Sequence, residues 1–438
     1  MAANSELDLE ELVDAWPILS RDERAEGFRL LAPGDADEFF LGLSARDQAE
    51  LVFETPAPER RRWVRLLPPD DAADLLQELD AEEREEVATL LDPVTRREVS
   101  ALLAYAEDEA GGLMSPRFAR ARPDMTVDEA ITYLRRQARR RLETIYYAYV
   151  LDHDQRLLGV VSFRELFASP GDRLVRDVMS TDLVTVSDHD DQESVGLLLA
   201  EKDLLAVPVV DDEGRLKGII THDDVVDVVQ EEATEDIQKA GAVEALDAPY
   251  LDVPIPLMVR KRAVWLAALF IGEMLTATAM AYYEEEIARA VLLATFVPLM
   301  ISSGGNSGSQ ASTLIIRAMA LGEVRLRDWW RVMRRELATG LALGVILAAI
   351  GFLRIAVWQQ VGHVYGEHWV KIGITVSSSL VGIVLWGSVS GSMLPLFLRR
   401  LGLDPASASA PFVATLVDVT GLIIYFSVAS WVLQGALL

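Results

Sequence analysis

Five long apolar stretches in the second half of the chain constrain its fold more than any other feature. They cover residues 263–281, 288–316, 337–358, 370–398 and 408–433. Each is long enough to cross a hydrocarbon core of about 30 Å, and only helices or closed barrels satisfy their backbone hydrogen bonds in such a core. The sequence therefore predicts a multidomain membrane protein whose residues 257–438 form an all-α transmembrane domain of five helices.

Basic residues indicate how these helices are oriented. Lysine and arginine gather on one predicted side, at Arg260, Lys261, Arg262, Arg317, Arg325, Arg327, Arg331, Arg334, Arg335, Arg399 and Arg400. The opposite loops, 282–287 and 359–369, are acidic or nearly neutral, and residues 1–12 lack a signal-peptide pattern. Because basic loops stay in the cytoplasm, we expect a multi-pass plasma-membrane protein with its N-terminus cytoplasmic and its C-terminus outside.

Charge separates the chain into two unlike halves. Residues 1–251 hold 27 of the 41 basic and 57 of the 68 acidic residues, a formal charge of −30, whereas residues 252–438 carry +3. So acidic a half repels nucleic acid and offers carboxylates that small cations neutralise. The chain has no cysteine, so any metal ligands must be oxygens or histidines.

The N-terminal region, 1–110, contains a repeat with a period of 12 residues. Its copies start at Leu19, Leu31, Leu43, Thr55, Leu67, Leu79 and Leu91. Ser20 and Asp80 are typical helix N-caps, each followed by an acid three residues on. Because helices of two turns are unstable alone, we expect the copies to stack into an acidic α-superhelix. A plain helical bundle with coincidental spacing is the alternative.

Residues 111–230 contain a second repeat, with a constant offset of 59. Residues 126–127 match 185–186, and residues 159–162 match 218–221. Each copy has the pattern of a helix, a β-branched strand, a turn, a strand and a helix. The sequence therefore predicts two tandem α/β modules.

An acidic helical stretch over 225–247 follows these modules. Pro249, Pro254 and Pro256 come next, and proline cannot continue a helix. We therefore assign residues 231–256 to a long connecting helix that links the soluble half to the first membrane stretch.

Asp418 is the strongest candidate functional residue in the membrane half. It lies about ten residues into the last stretch, about 15 Å deep at a rise of about 1.5 Å per residue. A carboxylate there is costly unless it faces water, a cation or a partner, so we interpret it as a pore residue; a protonated carboxyl in helix packing is the alternative. For Glu273, in the first stretch, pore lining and a structural hydrogen bond are equally good interpretations.

The second stretch is interpreted as a broken helix. Pro298 precedes a segment, 302–310, that is rich in serine and glycine and includes Asn306. Such residues free backbone carbonyls, which a membrane tolerates only beside a cavity or another helix. We expect the segment to line a pore, and a tight helix-packing face without a pore is the alternative.

Four motifs resemble the MgtE family of Mg²⁺ channels. They are residues 107–114 (EDEAGGLM), 233–237 (ATEDI), 304–318 from GGN to LIIRA, and 411–421 ending in DVTG. Residues 113–230 likewise resemble a pair of CBS modules. The resemblance covers essentially the whole chain and implies a homodimeric Mg²⁺ channel or transporter for passive uptake, and not an enzyme.

The resemblance also implies site residues. It places the pore metal at Asp418, Ala414, Asn306 and Gly421. It places regulatory Mg²⁺, which shuts the pore, at Asp70, Asp74, Asp191, Glu193, Asp203, Asp224, Asp227, Glu232, Glu235 and Asp236. Thr221 and Asp224 are implied to hold ATP. Ala410 departs from the pattern, because some relatives carry a polar residue there.

Two other functions stay open. Oxygen ligands discriminate weakly among divalent cations, so Co²⁺ or Mn²⁺ is an alternative cargo. A membrane-anchored CBS nucleotide sensor is an alternative of another class. An enzyme is disfavoured because no metal-ligand or acid/base spacing relates the five histidines, His153, His189, His222, His363 and His368.

Overall fold

The computed structural model describes residues 8–106, 108–139, 142–144, 146–246, 248–251, 253–289 and 291–434. The chain divides into two compact units, Met1–Gln230 and Glu231–Leu438. The first unit is helical and then α/β, and the second is helical, in agreement with the predicted classes. Glu107, part of one quoted motif, lies outside the described residues.

The elements of the first unit are short. Its helices are α1 Leu9–Ala15, α2 Arg21–Leu30, α3 Pro33–Leu41, α4 Ala45–Glu54, α5 Ala57–Val64, α6 Pro69–Gln77, α7 Ala81–Ala88, α8 Pro93–Leu102, α9 Ala110–Leu113, α10 Val127–Gln137, α11 Phe163–Ala168, α12 Gln192–Lys202 and α13 His222–Ala240, which runs on into the second unit. Its strands are β1 Arg120–Ala121, β2 Tyr147–Leu151, β3 Leu157–Ser162, β4 Val186–Ser187, β5 Ala206–Val210 and β6 Leu216–Thr221.

The remaining elements are helices, and most are long. They are α14 Ile255–Tyr282, α15 Glu284–Arg289, α16 Val291–Ala294, α17 Val297–Ala320, α18 Trp329–Gly362, α19 Trp369–Arg400 and α20 Ala410–Leu433.

Helices α1 to α8 begin every 12 residues, from Leu9 to Pro93. The predicted repeat is confirmed, and α1 adds a copy before the first one recognised in the sequence. Ser20 forms the expected capping box with Glu23, and Asp80 accepts two backbone hydrogen bonds at the start of α7. Helix α2 packs on α4, α4 on α6 and α6 on α8, so each copy buries its apolar face against the next but one.

A recurrent hydrogen bond ties each of several helices to the one before it. A side chain near the start of a helix donates to a carbonyl at the end of the preceding helix, eight residues earlier. The pairs are Arg24 with Trp16, Gln48 with Phe40, Arg84 with Leu76 and Arg96 with Ala88, at 2.8–3.1 Å. These bonds satisfy carbonyls that a helix end leaves without partners, and they are not predicted from the sequence.

The two α/β modules repeat, but not with one offset. Strands β2 and β3 recur as β5 and β6 after 59 residues, as predicted, whereas α10 recurs as α12 after 65. Thr126 caps α10 and Asp191 caps α12, so the predicted match of 126–127 with 185–186 is wrong. The first module has nine residues between its helix and second strand where the other has three, and these six extra residues shift the register.

Each module builds a three-stranded sheet in which its first and second strands are parallel and its second and third antiparallel. Buried residues of the N-terminal helices and of the second module, such as Phe40, Leu75, Val209 and Ile220, form one apolar cluster. The first module has a core of its own around Val150 and the neighbouring elements. The N-terminal helices are therefore docked on the second module.

The predicted helix over 225–247 ends early, at Ala240. Ala242 adopts a left-handed backbone conformation (φ 57°), and the Val243 N–H donates to the Gln238 carbonyl, a helix-ending arrangement. Only the last ten residues of α13 therefore fall within the segment 231–256 assigned to the connecting helix. Pro254 and Pro256 instead stand at the start of α14, where proline is tolerated.

Within the described residues, four helices are long and apolar enough to cross a membrane: α14, α18 with the turn before it, α19 and α20. They correspond to four of the five predicted stretches. The other stretch, 288–316, is divided among the end of α15, α16 and α17. Helix α17 has 24 residues but contains many serines and glycines, so a fifth span stays a prediction.

Candidate cation sites

Asp418 lies on α20, eight residues after the helix begins at Ala410, or about 12 Å along its axis. Ser409 caps this helix by accepting the Phe412 N–H. The half-buried Asp418 faces α17: a Cβ built on Gly305 would lie 3.5 Å from its Oδ1 and 3.4 Å from the Cβ of Ala414. A larger residue at 305 would therefore crowd the carboxylate.

The second stretch is interrupted at residues 295–296, just before Pro298, but the serine- and glycine-rich segment 302–310 lies inside the continuous helix α17. The prediction that this segment breaks the helix is therefore wrong. Pro298 stands in its first turn, where its missing N–H has no helical partner to lose. The glycines serve close packing: a Cβ on Gly387 would lie 2.5 Å from the Gly304 carbonyl oxygen, and one on Gly391 would lie 2.1 Å from that of Gly308. The packing-face alternative thus holds for this side of α17.

Serine side chains of α17 fix the chain just before and at the start of α20. Ser309 donates to the Ala410 carbonyl (3.0 Å) and Ser312 to the Ala408 carbonyl (2.7 Å). These bonds hold the segment that leads to Asp418.

The other predicted pore residues occupy different surroundings. Asn306 is exposed, with its Nδ2 3.4 Å from Ser302 Oγ. Gly421 is buried, and a Cβ there would lie 3.4 Å from Ile383. Glu273 on α14 is exposed and close enough to Asp418 for their charges to repel, and its role stays a prediction.

A second set of carboxylates gathers in the first unit, and we call it the acid cluster. Its members come from α6, from the loop before β2 and from the first turns of α13: Asp70, Asp71, Glu143, Asp223, Asp224 and Asp227. Three of them, Asp70, Asp224 and Asp227, were predicted. Glu143 was missed because it lies in the loop that is six residues longer in the first module.

Asp70 is the most unusual member. Its side chain is only 4% exposed, and its Oδ1 has no hydrogen-bond partner among the described residues. Burial, then the charges of Glu143, Asp71 and Asp224, raise its pKa well above the usual range. A buried carboxylate without a donor is costly, so this position needs a proton or a cation.

The neighbouring carboxyls share this demand. Burial, and then the charges of Glu143, Asp223 and Asp227, raise the pKa of Asp71 to about 6. Burial raises the pKa of Asp224 to about 7, against hydrogen bonds that lower it. The pKa values of five of the six carboxyls are therefore raised, and a nearby cation would favour their ionised forms.

Asp224 also has a structural role. Its Oδ2 accepts from the Thr221 backbone N–H (2.9 Å) and hydroxyl (2.7 Å), a capping arrangement at the start of α13. Glu165, 59 residues earlier, does the same for Ser162 in the first module. The two residues predicted to hold a nucleotide thus bind each other.

The remaining regulatory acids of the first unit do not join the cluster as one group. Asp74 lies one turn after Asp70 on α6 and is half-buried. Asp191 caps the start of α12, Glu193 is in its first turn and Asp203 ends it. At a rise of about 1.5 Å per residue, Asp191 and Asp203 lie about 18 Å apart. Within the described chain, Asp191 and Asp203 cannot bind one ion.

The acids at the end of α13 meet the membrane helices. Lys239 forms an ion pair with Asp404 (2.7 Å) and another with Glu235. Burial, then the charge of Asp404, raise the pKa of Asp236, and Glu232 adds to this effect. Because Asp404 lies between α19 and α20, this contact links the connecting helix to the helix that carries Asp418.

Together, the long apolar helices with their two acids and the first unit with its acid cluster indicate a multi-pass membrane protein with candidate cation sites in both units. Comparison with known proteins identifies the family. The MgtE model, described as a divalent cation transporter, matches residues 297–428, the MgtE intracellular N domain matches 7–108, and CBS domains match 110–170 and 175–231.

Named relatives extend the match to the whole chain. The magnesium transporter MgtE of Thermus thermophilus is 42% identical over 98% of this chain and 94% of its own. That of Enterococcus faecalis is 33% identical over 76% of this chain and 71% of its own. A crystal structure of the cytosolic domain of the Mg²⁺ channel MgtE in complex with ATP is 42% identical, covers 51% of this chain and 92% of that one, and has a TM-score of 0.48. The chain belongs to the MgtE family of magnesium transporters.

Proposed function

We propose that this protein is a Mg²⁺-selective channel for passive uptake, closed from the cytoplasm by the ion it carries. The observation that carries the proposal is Asp418, a carboxylate on a membrane helix whose approach to α17 depends on Gly305. Mg²⁺ is a hard cation that prefers oxygen ligands and dehydrates reluctantly. A hydrated ion held by carboxylate oxygens through its waters suits this acid.

We place the pore between two copies of the chain. Asn306 is exposed and Asp418 only half-buried in the single chain, so a second copy would supply the facing wall. With a two-fold axis through the pore, two Asp418 carboxylates face one ion, and Ala414, Asn306 and Gly421 contribute backbone or amide oxygens nearby. Two such acids balance the charge of one divalent ion.

Regulation is assigned to the acid cluster and to the end of α13. At low cytoplasmic Mg²⁺ the ionised carboxylates repel one another. The repulsion energy of two like charges some 6 Å apart is about 3 kcal/mol at an effective dielectric near 20. At high Mg²⁺ the ion binds Asp70, Asp74, Asp224 and Asp227 and the α6–α13 packing tightens. Differential affinity for the tight state then shifts the equilibrium toward closure.

The second group of acids transmits this change. Lys239 ties α13 to Asp404, which lies six positions before the start of α20 at Ala410. Glu232, Glu235 and Asp236 surround this contact, so Mg²⁺ there strengthens the link. Asp191, Glu193 and Asp203 are kept as weaker regulatory ligands whose partners would come from a second chain.

A nucleotide is a further regulatory ligand in this proposal. The solved relative that is 42% identical was crystallised with ATP, and Thr221 and Asp224 occupy the exit of the second module. To contact a ribose they would have to share or release their mutual hydrogen bonds. We orient the chain with residues 1–251 in the cytoplasm, so that cytoplasmic Mg²⁺ and ATP can both reach these regulatory sites.

Ion flux into liposomes tests the proposal against its alternatives. Purified protein should admit Mg²⁺ down its gradient without any added substrate, and internal Mg²⁺ should slow the flux. If Mn²⁺, Co²⁺ and Ca²⁺ enter at the same rate as Mg²⁺, the protein is a general divalent-cation channel and is not selective for Mg²⁺. No flux at all, with nucleotide binding retained, would leave a CBS sensor anchored in the membrane.

A further inference from the structure

An open, strongly basic cavity lies where α18 begins. It has a volume of about 580 Å³ and is lined by Arg327, Asp328, Trp330, Arg331, Arg334 and Arg335. The helix continues from there into an apolar span that is long enough to cross a membrane. The cavity therefore lies at the boundary between bilayer and water.

The charge in this cavity is mostly uncompensated. Four arginines face one acid, Asp328, which is 3.6 Å from Arg331 and also accepts the Arg325 backbone N–H. In the part of the chain that the structure describes, no acid comes within ion-pair distance of Arg334 or Arg335. The six lining residues carry a formal net charge of +3.

The side chains present are those that recognise phosphate at a membrane. A planar guanidinium binds phosphate oxygens two at a time. Trp329 and Trp330 are 51% and 54% exposed and their rings are 5.5 Å apart, and tryptophan prefers the headgroup level of a bilayer. Leu326, 40% exposed, adds an apolar surface beside the arginines.

We propose that this cavity binds the phosphate of an anionic phospholipid headgroup. The arginines hold the phosphate, and the tryptophans and Leu326 contact the upper acyl chains. A free phosphate ion would use the arginines alone and leave the apolar side uncovered, which is why the lipid is favoured. With the proposed orientation, the lipid comes from the cytoplasmic leaflet, where anionic lipids are concentrated.

Native mass spectrometry of the full chain tests this site. The protein in detergent is offered phosphatidylglycerol and phosphatidylcholine, and the ratio of retained lipids is measured for wild type and for the double variant Arg331→Gln/Arg334→Gln. Each arginine near an anionic lipid contributes roughly a factor of five, so the double variant should lose about 30-fold in its preference for phosphatidylglycerol.

The matched control is Arg399→Gln/Arg400→Gln, which removes two exposed charges at the end of α19, outside the cavity. It should keep the wild-type preference, and size-exclusion chromatography checks that both variants remain folded. An equal loss in both variants would reduce the effect to general charge and overturn the site.

Two further outcomes would also overturn the proposal. If inorganic phosphate displaces phosphatidylglycerol at low concentration, the cavity is a site for free phosphate. If lipid retention is unchanged but the cavity variant alters protease cleavage within residues 1–230, the arginines bind the acidic part of the chain instead.

Discussion

Protons and Mg²⁺ should substitute for each other at the acid cluster. Burial and neighbouring acids raise the pKa of Asp224 to about 7 and that of Asp71 to about 6, both from 3.8. The folded unit therefore binds more protons than the unfolded chain between about pH 4 and pH 7, so its stability increases as the pH falls through this range. Above about pH 8 both carboxylates are ionised, and the cost of holding them together is at its greatest.

The size of the effect follows from these two values. Lowering the pH from 8 to 6 in the absence of Mg²⁺ should stabilise the α6–α13 packing by about 2 kcal/mol, mostly through Asp224. Asp224→Asn should remove most of this gain while keeping an oxygen to accept from Thr221. The matched control is Glu165→Gln, which changes the equivalent capping residue of the first module outside the acid cluster.

Hydrogen exchange of the full chain, corrected for the intrinsic effect of pH, measures the opening of α6 and the start of α13. For wild type and Glu165→Gln, protection should rise about 30-fold from pH 8 to pH 6. For Asp224→Asn the rise should be about threefold or less. Millimolar Mg²⁺ at pH 8 should restore the protection seen at pH 6. If wild type and Asp224→Asn respond equally to pH, the carboxylates do not control this packing.

Two other changes test the membrane unit. Gly391→Ala should destabilise it by about 1–3 kcal/mol, because the added Cβ would lie 2.1 Å from the Gly308 carbonyl oxygen. In the control Gly382→Ala the Cβ would lie 3.3 Å from an Ile424 methyl, and the thermal unfolding midpoint in detergent should change little. Equal midpoints for the two variants would refute the close contact at Gly391. Asp404→Asn removes the charge that pairs with Lys239 across to the loop before α20 and should weaken the inhibition of flux by internal Mg²⁺ a few-fold. Unchanged inhibition would mean that this ion pair transmits nothing.

Sequence patterns predict much of the fold because nearby residues determine where each helix starts and where each hairpin forms. Each N-terminal helix begins with its own cap or proline, so a period of 12 places every start from Arg21 to Pro93. Strands β5 and β6 repeat β2 and β3 because the same alternation of β-branched residues builds the same hairpin. The error at 126–127 arises because an insertion inside one module leaves no trace in a constant-offset comparison.

The sites were less predictable because they depend on tertiary contacts. Glycine and serine in α17 weaken an isolated helix, but packing against α19 and α20 overrides that preference. Asp71 and Glu143 lie 72 positions apart in sequence, and only the packing of the N-terminal helices against the α/β modules brings them together. The end of α13 depends on one left-handed residue, Ala242, which no strong sequence preference marks.

The most direct test of the whole account is Mg²⁺ flux through Asp418→Asn. This variant keeps the shape of the side chain and removes its charge. In liposomes, with size-exclusion chromatography showing a folded protein, we expect its Mg²⁺ influx to fall to the level of protein-free vesicles while wild-type protein admits the ion. Influx at the wild-type rate through Asp418→Asn would show that Mg²⁺ does not pass this carboxylate and would contradict the proposed pore.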